Sequence, residues 1–391
     1  MAMRFDALHA AMQRHVDAEL LPGVSCAVLV GRDLVDEHCA GWADREQRVP
    51  LRRDHLFRVF SNTKLLTSCA ALLLWEDGHF QLDDPVERWL PALANRRVLK
   101  PGATRLDDTE PARSPITVRQ LLSHSSGLSY GLLDPGSLLF EAYGKAQIMG
   151  PLLSLAEMVE RLGALPLAYH PGTGWEYSIA TDVVARLVEV ISGQRFGDFL
   201  ATRILQPLGM HDTGFVLTDE QRGRLTAIYA GADLMAPMTP GLTRTDDYPY
   251  PGAYLRPVPK QSGGGGLVSS LPDMVTLLQA LRPGGDTLLK PATLALLFEN
   301  QLAPGVWINF AGMGSFDGHG YSLGGGLTVQ RWAGDPADAV GDLHWGGLAG
   351  THWWISPQDK VAAVAMTQRQ WGFSHPYWLE LKALIRQAVR S

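Results

Sequence analysis

Short apolar runs typical of β-strands lie near both ends of the chain. Residues 23–30 (GVSCAVLV) are small or β-branched, and a Gly-Arg-Asp turn separates them from a second run at 34–40. This pattern predicts a β-hairpin. The remaining strand-like runs are at 56–60, 321–331, 342–345, 351–355 and 361–367.

Helical spacing of apolar residues dominates the middle of the chain. An amphipathic helix opens the chain, and further helices are predicted at 61–76, 117–122, 155–162, 181–191, 196–204, 272–281 and 377–389. Strands at both ends with helices between them predict one sheet domain formed by residues 1–60 and 259–391. Residues 61–258 then form an inserted, mainly helical domain, and we expect the active site between the two.

One internal segment shows no periodicity. Residues 230–259 are crowded with proline, glycine and tyrosine. A long irregular segment inside a compact domain is often a lid or a binding loop. A well-packed structural crossover is the equal alternative.

Composition narrows the function classes. The 391 residues are 46% hydrophobic and 19% charged, which is typical of a globular chain with two or three folding units. The net charge is −6 without a basic stripe, so we expect no nucleic-acid partner. No run reaches the roughly 18 apolar residues of a membrane helix. Three cysteines and an N-terminus without a signal-peptide core indicate the cytoplasm.

The tetrapeptide SNTK at 61–64 places the Ser61 hydroxyl and the Lys64 amine three residues apart at a predicted helix start. Residues i and i+3 share a helix face, so the two groups would be neighbours. A serine nucleophile needs a base, and a lysine in a dry site at a helix N-terminus can supply it. Serine is also a favoured N-cap, so a purely structural role stays open.

Two further segments carry candidate chemistry. Tyr177 follows a Pro-Gly-Thr-Gly turn signal and precedes a predicted helix, and it gains a catalytic role only if it approaches Ser61 in space. Gly346 and Gly347 interrupt a predicted strand. Paired glycines there indicate either close approach of a ligand to the backbone or a bulge and tight packing.

Other candidate chemistry is weaker. The segment GYSLG around Ser322 matches G-x-S-x-G, but glycines and strand-like residues follow it where that motif requires a helix. His124 has no second ligand type beside it, so we expect a hydrogen-bonded structural histidine. The glycines at 263–266 lack the Gly-Lys-Ser/Thr sequence of a phosphate loop. We predict neither a metal nor a cofactor.

Taken in order, these segments resemble the serine β-lactamase and penicillin-binding protein superfamily. The matching segments are SNTK at 61–64 for S-x-x-K, LLSHSSGL at 121–128, YSI at 177–179 for Y-x-N, PLGMHDT at 207–213 and WGG at 345–347 for K-T-G. The resemblance spans about residues 10 to 390. It implies an α/β (α+β) fold, β-lactamase-like, with an antiparallel sheet flanked by helices and an inserted, mainly helical domain.

Two departures from that pattern change the expected substrate. Ile179 replaces the asparagine and Trp345 the lysine that the family's lactamases use near the substrate amide and carboxylate. The combination resembles the family VIII carboxylesterases. The large apolar surface of Trp345 favours uncharged acyl or alcohol groups. Tyr130, Trp175 and Trp353 either extend such a pocket or pack in the core.

The resemblance also implies roles for individual residues. Ser61 attacks the ester carbonyl, Lys64 and Tyr177 share the proton transfers, and the backbone N–H groups of Ser61 and Leu348 form the oxyanion hole. The residues expected to contact substrate are Trp345, Gly346, Gly347 and Tyr130. Which of Lys64 and Tyr177 holds the proton stays open, because the pair titrates as a unit.

The predicted function is therefore a serine carboxylesterase that hydrolyses small, uncharged esters through an acyl-enzyme on Ser61. Three alternatives stay open. They are a β-lactamase or D-amino-acid peptidase at the same site, an acyltransferase with an alcohol acceptor, and a catalytically inactive binding module. The intact serine, lysine and tyrosine disfavour the last. The expected partner is a small-molecule ester, and the sequence leaves the natural ester and the oligomeric state open.

Overall fold

The computed structural model of the chain contains both helices and strands and describes residues 3–311, 313–331, 336 and 339–390. The α-helices in these ranges are α1 Asp6–Asp17, α2 Thr63–Glu76, α3 Val118–Leu122, α4 Leu138–Lys145, α5 Leu155–Gly163, α6 Ala180–Ser192, α7 Phe196–Leu200, α8 Gln206–Leu208, α9 Asp219–Arg222, α10 Leu271–Ala280, α11 Pro291–Leu296 and α12 Tyr377–Arg390. Short 3-10 turns lie at Phe60–Asn62, Val86–Arg88, Pro91–Leu93 and Gly372–Ser374, and a π-helical turn at Ala201–Leu205.

The strands come mainly from the two ends of the chain. They are β1 Gly23–Val30, β2 Asp33–Asp44, β3 Val49–Pro50, β4 Leu56–Arg58, β5 Arg97–Leu99, β6 Thr109–Pro111, β7 Tyr229–Gly231, β8 Leu242–Arg244, β9 Val268–Ser270, β10 Asn309–Phe310, β11 Gly314–Ser315, β12 His319–Tyr321, β13 Gly326–Thr328, β14 Leu343–Gly346, β15 Thr351–Ser356 and β16 Val361–Thr367. The strands β1 and β16 have the bounds that their apolar runs predict.

An eight-stranded sheet joins the two ends of the chain. Its order is β12-β13-β14-β15-β16-β1-β2-β3, and every pair in it is antiparallel. The first hairpin therefore pairs directly with the last strand, Val24 lying opposite Thr367. The predicted α/β fold with an antiparallel sheet flanked by helices is confirmed. The domain bounds at 60/61 and 258/259 stay a prediction.

Both faces of the sheet centre are buried, because successive side chains of a strand point to opposite faces. In β1, Cys26 and Val28 pack in a cluster with α1 and α12. Ala27 and Leu29 belong to the larger core that contains residues of α2, α6 and α10. Burial on both sides explains why this strand is apolar throughout rather than alternating.

The predicted strand at 321–331 is instead part of a hairpin. Strand β12 ends at Tyr321, and Ser322 Oγ accepts hydrogen bonds from the N–H groups of Gly324 and Gly325 before β13 begins. A side-chain acceptor at this position closes a turn that a continuous strand lacks. Ser322 is buried in that turn and no helix follows it, so the G-x-S-x-G match has no nucleophile geometry.

Candidate active site

The Ser61 hydroxyl stands at the junction of a short strand and a buried helix. Strand β4 pairs with β9, and the Val59 N–H donates to Leu267 O at 3.1 Å. Phe60 then adopts a φ of 41°, in the left-handed region that residues with a side chain rarely occupy. Such local strain is concentrated at functional sites. Helix α2 begins at Thr63, so Ser61 lies at its N-terminus and stays partly exposed.

Lys64 lies between Ser61 and Tyr177. Its Nζ is 3.4 Å from Ser61 Oγ and donates to Gly264 O at 2.6 Å. The same nitrogen is 4.6 Å from the ring centroid of Tyr177 and 5.7 Å from that of Tyr130. Lys64 is only 2% exposed, so its amine meets the site and not the bulk solvent. The structure thus brings together a nucleophile and two groups that can carry its proton.

Trp345 contacts the phenol of Tyr177 directly. Its Nε1–H donates to Tyr177 Oη at 3.3 Å, and the two ring centroids are 5.3 Å apart. The sequence predicts Trp345 only as an apolar wall. The structure adds a hydrogen-bond donor, which stabilises negative charge on the phenol oxygen.

His124 is a buried structural residue behind this trio. Its Nδ1 is hydrogen-bonded to Ser178 Oγ at 2.9 Å, and its Nε2 is 3.4 Å from Thr181 Oγ1. Burial, together with the charge of Lys64, holds the pKa of His124 well below its ordinary value. The ring is therefore neutral, and it orients the residue that follows Tyr177.

The backbone at 346–348 approaches the chain just before Ser61. A Cβ on Gly347 would lie 2.3 Å from Val59 O, and the Thr351 hydroxyl donates to that same oxygen at 3.1 Å. Leu348 follows directly, and no hydrogen-bond acceptor for its N–H exists among the described residues. A free N–H beside the nucleophile has the character of an oxyanion-hole donor.

Two cavities meet at Ser61. The aromatic cavity has a volume of about 430 Å³ and is lined by Ser61, Leu132, Leu133, Tyr177, Ile308, Phe310, Met313, Phe316, His319, His344, Trp345, Gly346, Leu348, His352, Phe373, Ser374, His375, Pro376, Trp378 and Leu379. The tyrosine cavity, about 300 Å³, is lined by Phe60, Ser61, Tyr130, Leu132, Met149, Pro151, Ile179, Asp182, Phe215, Tyr248, Pro249, Tyr250, Tyr254, Val258, Lys260, Ser262, Gly264, Gly265, Gly266 and Leu348. Among the described residues, only Ser61, Leu132 and Leu348 line both.

The remaining predicted site residues separate into two groups. Tyr130 lines the tyrosine cavity and Gly346 the aromatic cavity. Gly347 lines neither cavity, and its contact with Val59 O accounts for its lack of a side chain. Trp175 and Trp353 also line neither and belong to the main core. Within the described ranges, no three potential ligand side chains gather to hold a metal ion.

Comparison with known proteins places the chain in one family. Residues 8–387 match the family model described as Beta-lactamase. The chain belongs to the Beta-lactamase family. The resemblance drawn from the sequence is confirmed, and so is the fold that it implies.

Relatives within the Beta-lactamase family include esterases and acyltransferases. Esterase EstB of Burkholderia gladioli is 32% identical over 384 residues, covering 96% of this chain and 93% of EstB. The solved structure of EstCE1, a hydrolase with promiscuous acyltransferase activity, has a TM-score of 0.82 at 28% identity and covers 98% of this chain and 97% of its own. Simvastatin synthase (LovD) from Aspergillus terreus has a TM-score of 0.80 at 27% identity, with the same coverage of both chains.

The sequence predicts no role for the glycines at 263–266, yet Gly264, Gly265 and Gly266 line the tyrosine cavity. Gly264 O accepts from Lys64, and Gly263 O accepts from the Thr67 hydroxyl at 2.7 Å. A Cβ on Gly264 would lie 2.4 Å from Asp182 Oδ2 and 3.4 Å from Lys64 Nζ. The run of four glycines was the available signal, because only glycine lets a backbone pass so close to two helices.

The irregular segment at 230–259 lines a cavity of the site and also packs in the interior. Tyr248 and Tyr250 line the tyrosine cavity. Tyr254 also lines it, but is buried with Leu217 and Val268 in a small cluster of its own. The segment is therefore a wall of the site that is held in place by packing.

Proposed function

We propose that the protein is a serine carboxylesterase that hydrolyses uncharged carboxylic esters through an acyl-enzyme on Ser61. The contact between Trp345 Nε1 and Tyr177 Oη carries this proposal. An indole stands at the position where the family's lactamases hold a lysine, so this wall provides no cation for a substrate carboxylate. The esterase relatives support the same assignment.

Catalysis proceeds by two acyl transfers. Ser61 Oγ bonds to the ester carbonyl carbon while its proton passes to the Lys64–Tyr177 pair. The carbonyl oxygen becomes an oxyanion held by the N–H groups of Ser61 and Leu348. The bond to the alcohol oxygen breaks as that oxygen takes the proton from Tyr177. Water then attacks the acyl-enzyme, loses a proton to Tyr177, and releases the acid while Ser61 regains its proton.

The two cavities divide the ester between them. Tyr177 delivers a proton to the leaving alcohol, so the alcohol must lie on the side of Tyr177. Tyr177 lines the aromatic cavity and not the tyrosine cavity. The alcohol part of the ester therefore binds in the aromatic cavity, and the acyl part extends into the tyrosine cavity.

Acyl transfer to an alcohol is the second candidate activity. The aromatic cavity has room for far more than a water molecule, and an alcohol bound there would meet the acyl-enzyme on the path that the leaving alcohol took. The similarity to EstCE1, a hydrolase with acyltransferase activity, and to simvastatin synthase supports this candidate activity. Either activity uses the same residues and needs no cofactor.

The remaining assignments are proposals at a finer level. Within the Beta-lactamase family, the YSI and WGG segments favour the family VIII carboxylesterases. A small-molecule ester is the proposed partner. Cys26, Cys39 and Cys69 are free thiols, which favours a reducing compartment and hence the cytoplasm. Separately, none of the described helices has the length and apolar character that spanning a bilayer requires.

Hydrolysis of p-nitrophenyl butyrate beside a chromogenic cephalosporin tests the proposal, with wild type and Ser61→Ala. We expect fast ester turnover that disappears in the variant, and slow or no opening of the cephalosporin. Faster cephalosporin opening would make the protein a lactamase or peptidase. A single burst of p-nitrophenol without turnover, relieved by added alcohol, would make acyl transfer the main activity.

A further inference from the structure

Asp182 is a buried carboxylate with one oxygen, Oδ1, that no hydrogen-bond donor among the described residues contacts. It is 1% exposed, lies in the first turn of α6 and lines the tyrosine cavity beside Ser61. Its Oδ1 is fully buried and has no hydrogen-bond partner among the described residues. Buried carboxylates normally accept several hydrogen bonds, since leaving them without donors costs free energy. Asp182 can therefore accept a hydrogen bond from a bound ligand.

Two lysines stand near this carboxylate. Lys64 Nζ and Asp182 Oδ2 both lie beside Gly264. A Cβ on that glycine would contact the two atoms. Lys260 lines the same cavity, is 7% exposed and donates to Ile148 O at 2.9 Å. Burial lowers the pKa of Lys260, and the charge of Asp182 opposes that shift. The cavity thus contains a carboxylate acceptor and an ammonium whose three N–H donors exceed its one protein acceptor.

The charges restrict what can bind between them. A second carboxylate would be attracted by the lysines but repelled by Asp182, and an ammonium would be attracted by Asp182 but repelled by the lysines, so neither charge is favoured throughout the cavity. A plain alkyl group would cover Asp182 without providing a donor, which leaves the desolvation of the carboxylate uncompensated. A hydroxyl group is neutral and can donate and accept at once.

We propose that the tyrosine cavity is a subsite for acyl groups that carry a hydroxyl, with Asp182 accepting from it and Lys260 donating to it. This inference rests on the proposed esterase function, because the acyl group reaches the cavity through its bond to Ser61. The substrate class is esters of hydroxy acids. Six aromatic side chains line the cavity and enclose the carbon chain: Phe60, Tyr130, Phe215, Tyr248, Tyr250 and Tyr254.

Pairs of esters that share the same alcohol and differ only in a hydroxyl group on the acyl chain test this subsite. We compare kcat/KM for the p-nitrophenyl esters of butyric and 3-hydroxybutyric acid, both enantiomers, and of hexanoic and 6-hydroxyhexanoic acid. Because a hydrogen bond to a charged group discriminates strongly, we expect about a 10- to 100-fold preference for the hydroxy ester in at least one pair. This measurement uses the wild type alone and needs no folded variant.

Variants then assign the preference to residues. Asp182→Ala should reduce the hydroxy-to-plain ratio to about one, whatever its absolute rate, and Lys260→Met should reduce it in part. Asp198→Ala is the matched control, since Asp198 also lies in the first turn of a helix but is exposed and lines neither cavity. The ratio should not change in that control. A preference that survives Asp182→Ala would overturn the assignment.

Three outcomes distinguish a failure of this inference from a failure of the proposed function. Ser61-dependent hydrolysis with a ratio near one in both pairs would overturn the hydroxyl subsite and leave the esterase intact. No hydrolysis of any of these esters would overturn both. A preference for 4-hydroxybutyl butyrate over butyl butyrate, without one on the acyl side, would place the hydroxyl in the aromatic cavity and would likewise overturn the subsite.

Discussion

At the scale of single residues, Trp345 is both an aromatic wall and a hydrogen-bond donor, and the sequence predicts only the wall. Its ring is a wall of the aromatic cavity, and its N–H is the donor to Tyr177 Oη. The family's lysine at this place would provide charge to both the phenol and the substrate. The indole provides a hydrogen bond to the phenol and no charge to the substrate.

Trp345→Phe tests the indole N–H donor separately from the aromatic ring that lines the cavity. Phenylalanine keeps an aromatic surface but loses the N–H, so we expect kcat on p-nitrophenyl butyrate to fall about 5- to 10-fold, the value of one neutral hydrogen bond. The preference among esters should change little. Trp378→Phe is the control, because Trp378 lines the same cavity but stacks on His352. An equal fall in both variants would show that the loss comes from packing.

Glu176, next to Tyr177, makes the stability of the protein depend on pH. Burial raises the pKa of this carboxyl to about 7 from its ordinary 4.5, more than a hydrogen bond with Ser129 lowers it. The native state therefore keeps a proton that the unfolded state releases between those two values. Stability present at low pH is lost as the pH rises through this window.

Glu176→Gln should remove this loss of stability at high pH. We expect the variant to be more stable than wild type at pH 8 by about 1–3 kcal/mol and to differ little from it at pH 4.5. Urea unfolding at both pH values measures the difference. Glu141→Gln, at an exposed position on α4, should show no such dependence. A wild-type advantage at pH 8 would contradict the buried, protonated carboxyl.

At the scale of elements, the site depends on backbone segments that pass unusually close to each other. The turn at Phe60–Asn62 meets the end of β14 through Gly347, and the glycines at 263–266 pass between α2 and α6. Each contact requires glycine because a Cβ would overlap backbone or a charged atom. The elements alone do not make an oxyanion hole, but their close approach does.

Gly347→Ala should separate the Leu348 N–H from Ser61. The new Cβ would lie 2.3 Å from both Val59 O and Thr351 Oγ1, so the two segments must move apart. We expect kcat to fall about 10²- to 10³-fold, the cost of one oxyanion donor. Gly144→Ala is the matched control, because nothing lies within 4 Å of that position. Retained activity in a folded Gly347→Ala would place the oxyanion hole elsewhere.

At the scale of the whole molecule, distant parts of the chain provide the two cavities. The aromatic cavity comes mainly from residues 308–379, and the tyrosine cavity mainly from residues 130–266. Ser61 opens onto both. The specificity for alcohol and for acyl group can therefore change independently, since the side chains that enclose them belong to separate parts of the fold.

Paired variants test that independence. Phe310→Ala enlarges the aromatic cavity and should change the order of activity along a series of butyrates from ethyl to octyl, by several-fold at least. Tyr248→Ala enlarges the tyrosine cavity and should change the order along p-nitrophenyl esters from acetate to decanoate. Each variant should leave the other series in its wild-type order. Crossed effects would reverse the assignment of the two cavities.

The sequence by itself determined the family, the sheet of two chain ends and the neighbourhood of Ser61 and Lys64. Those features are local: strand pattern depends on alternation along the chain, and two residues three apart on a helix are neighbours wherever that helix lies. The bounds of β1 and β16 followed for the same reason.

Only the tertiary structure decided what surrounds that pair. The donor Trp345, the backbone acceptor Gly264 and the buried Asp182 lie more than 100 residues away from Ser61 in sequence. The same holds for most of the residues that line the tyrosine cavity. Their distances are set by how helices and strands pack, and the spacing of residues along one chain does not contain that information.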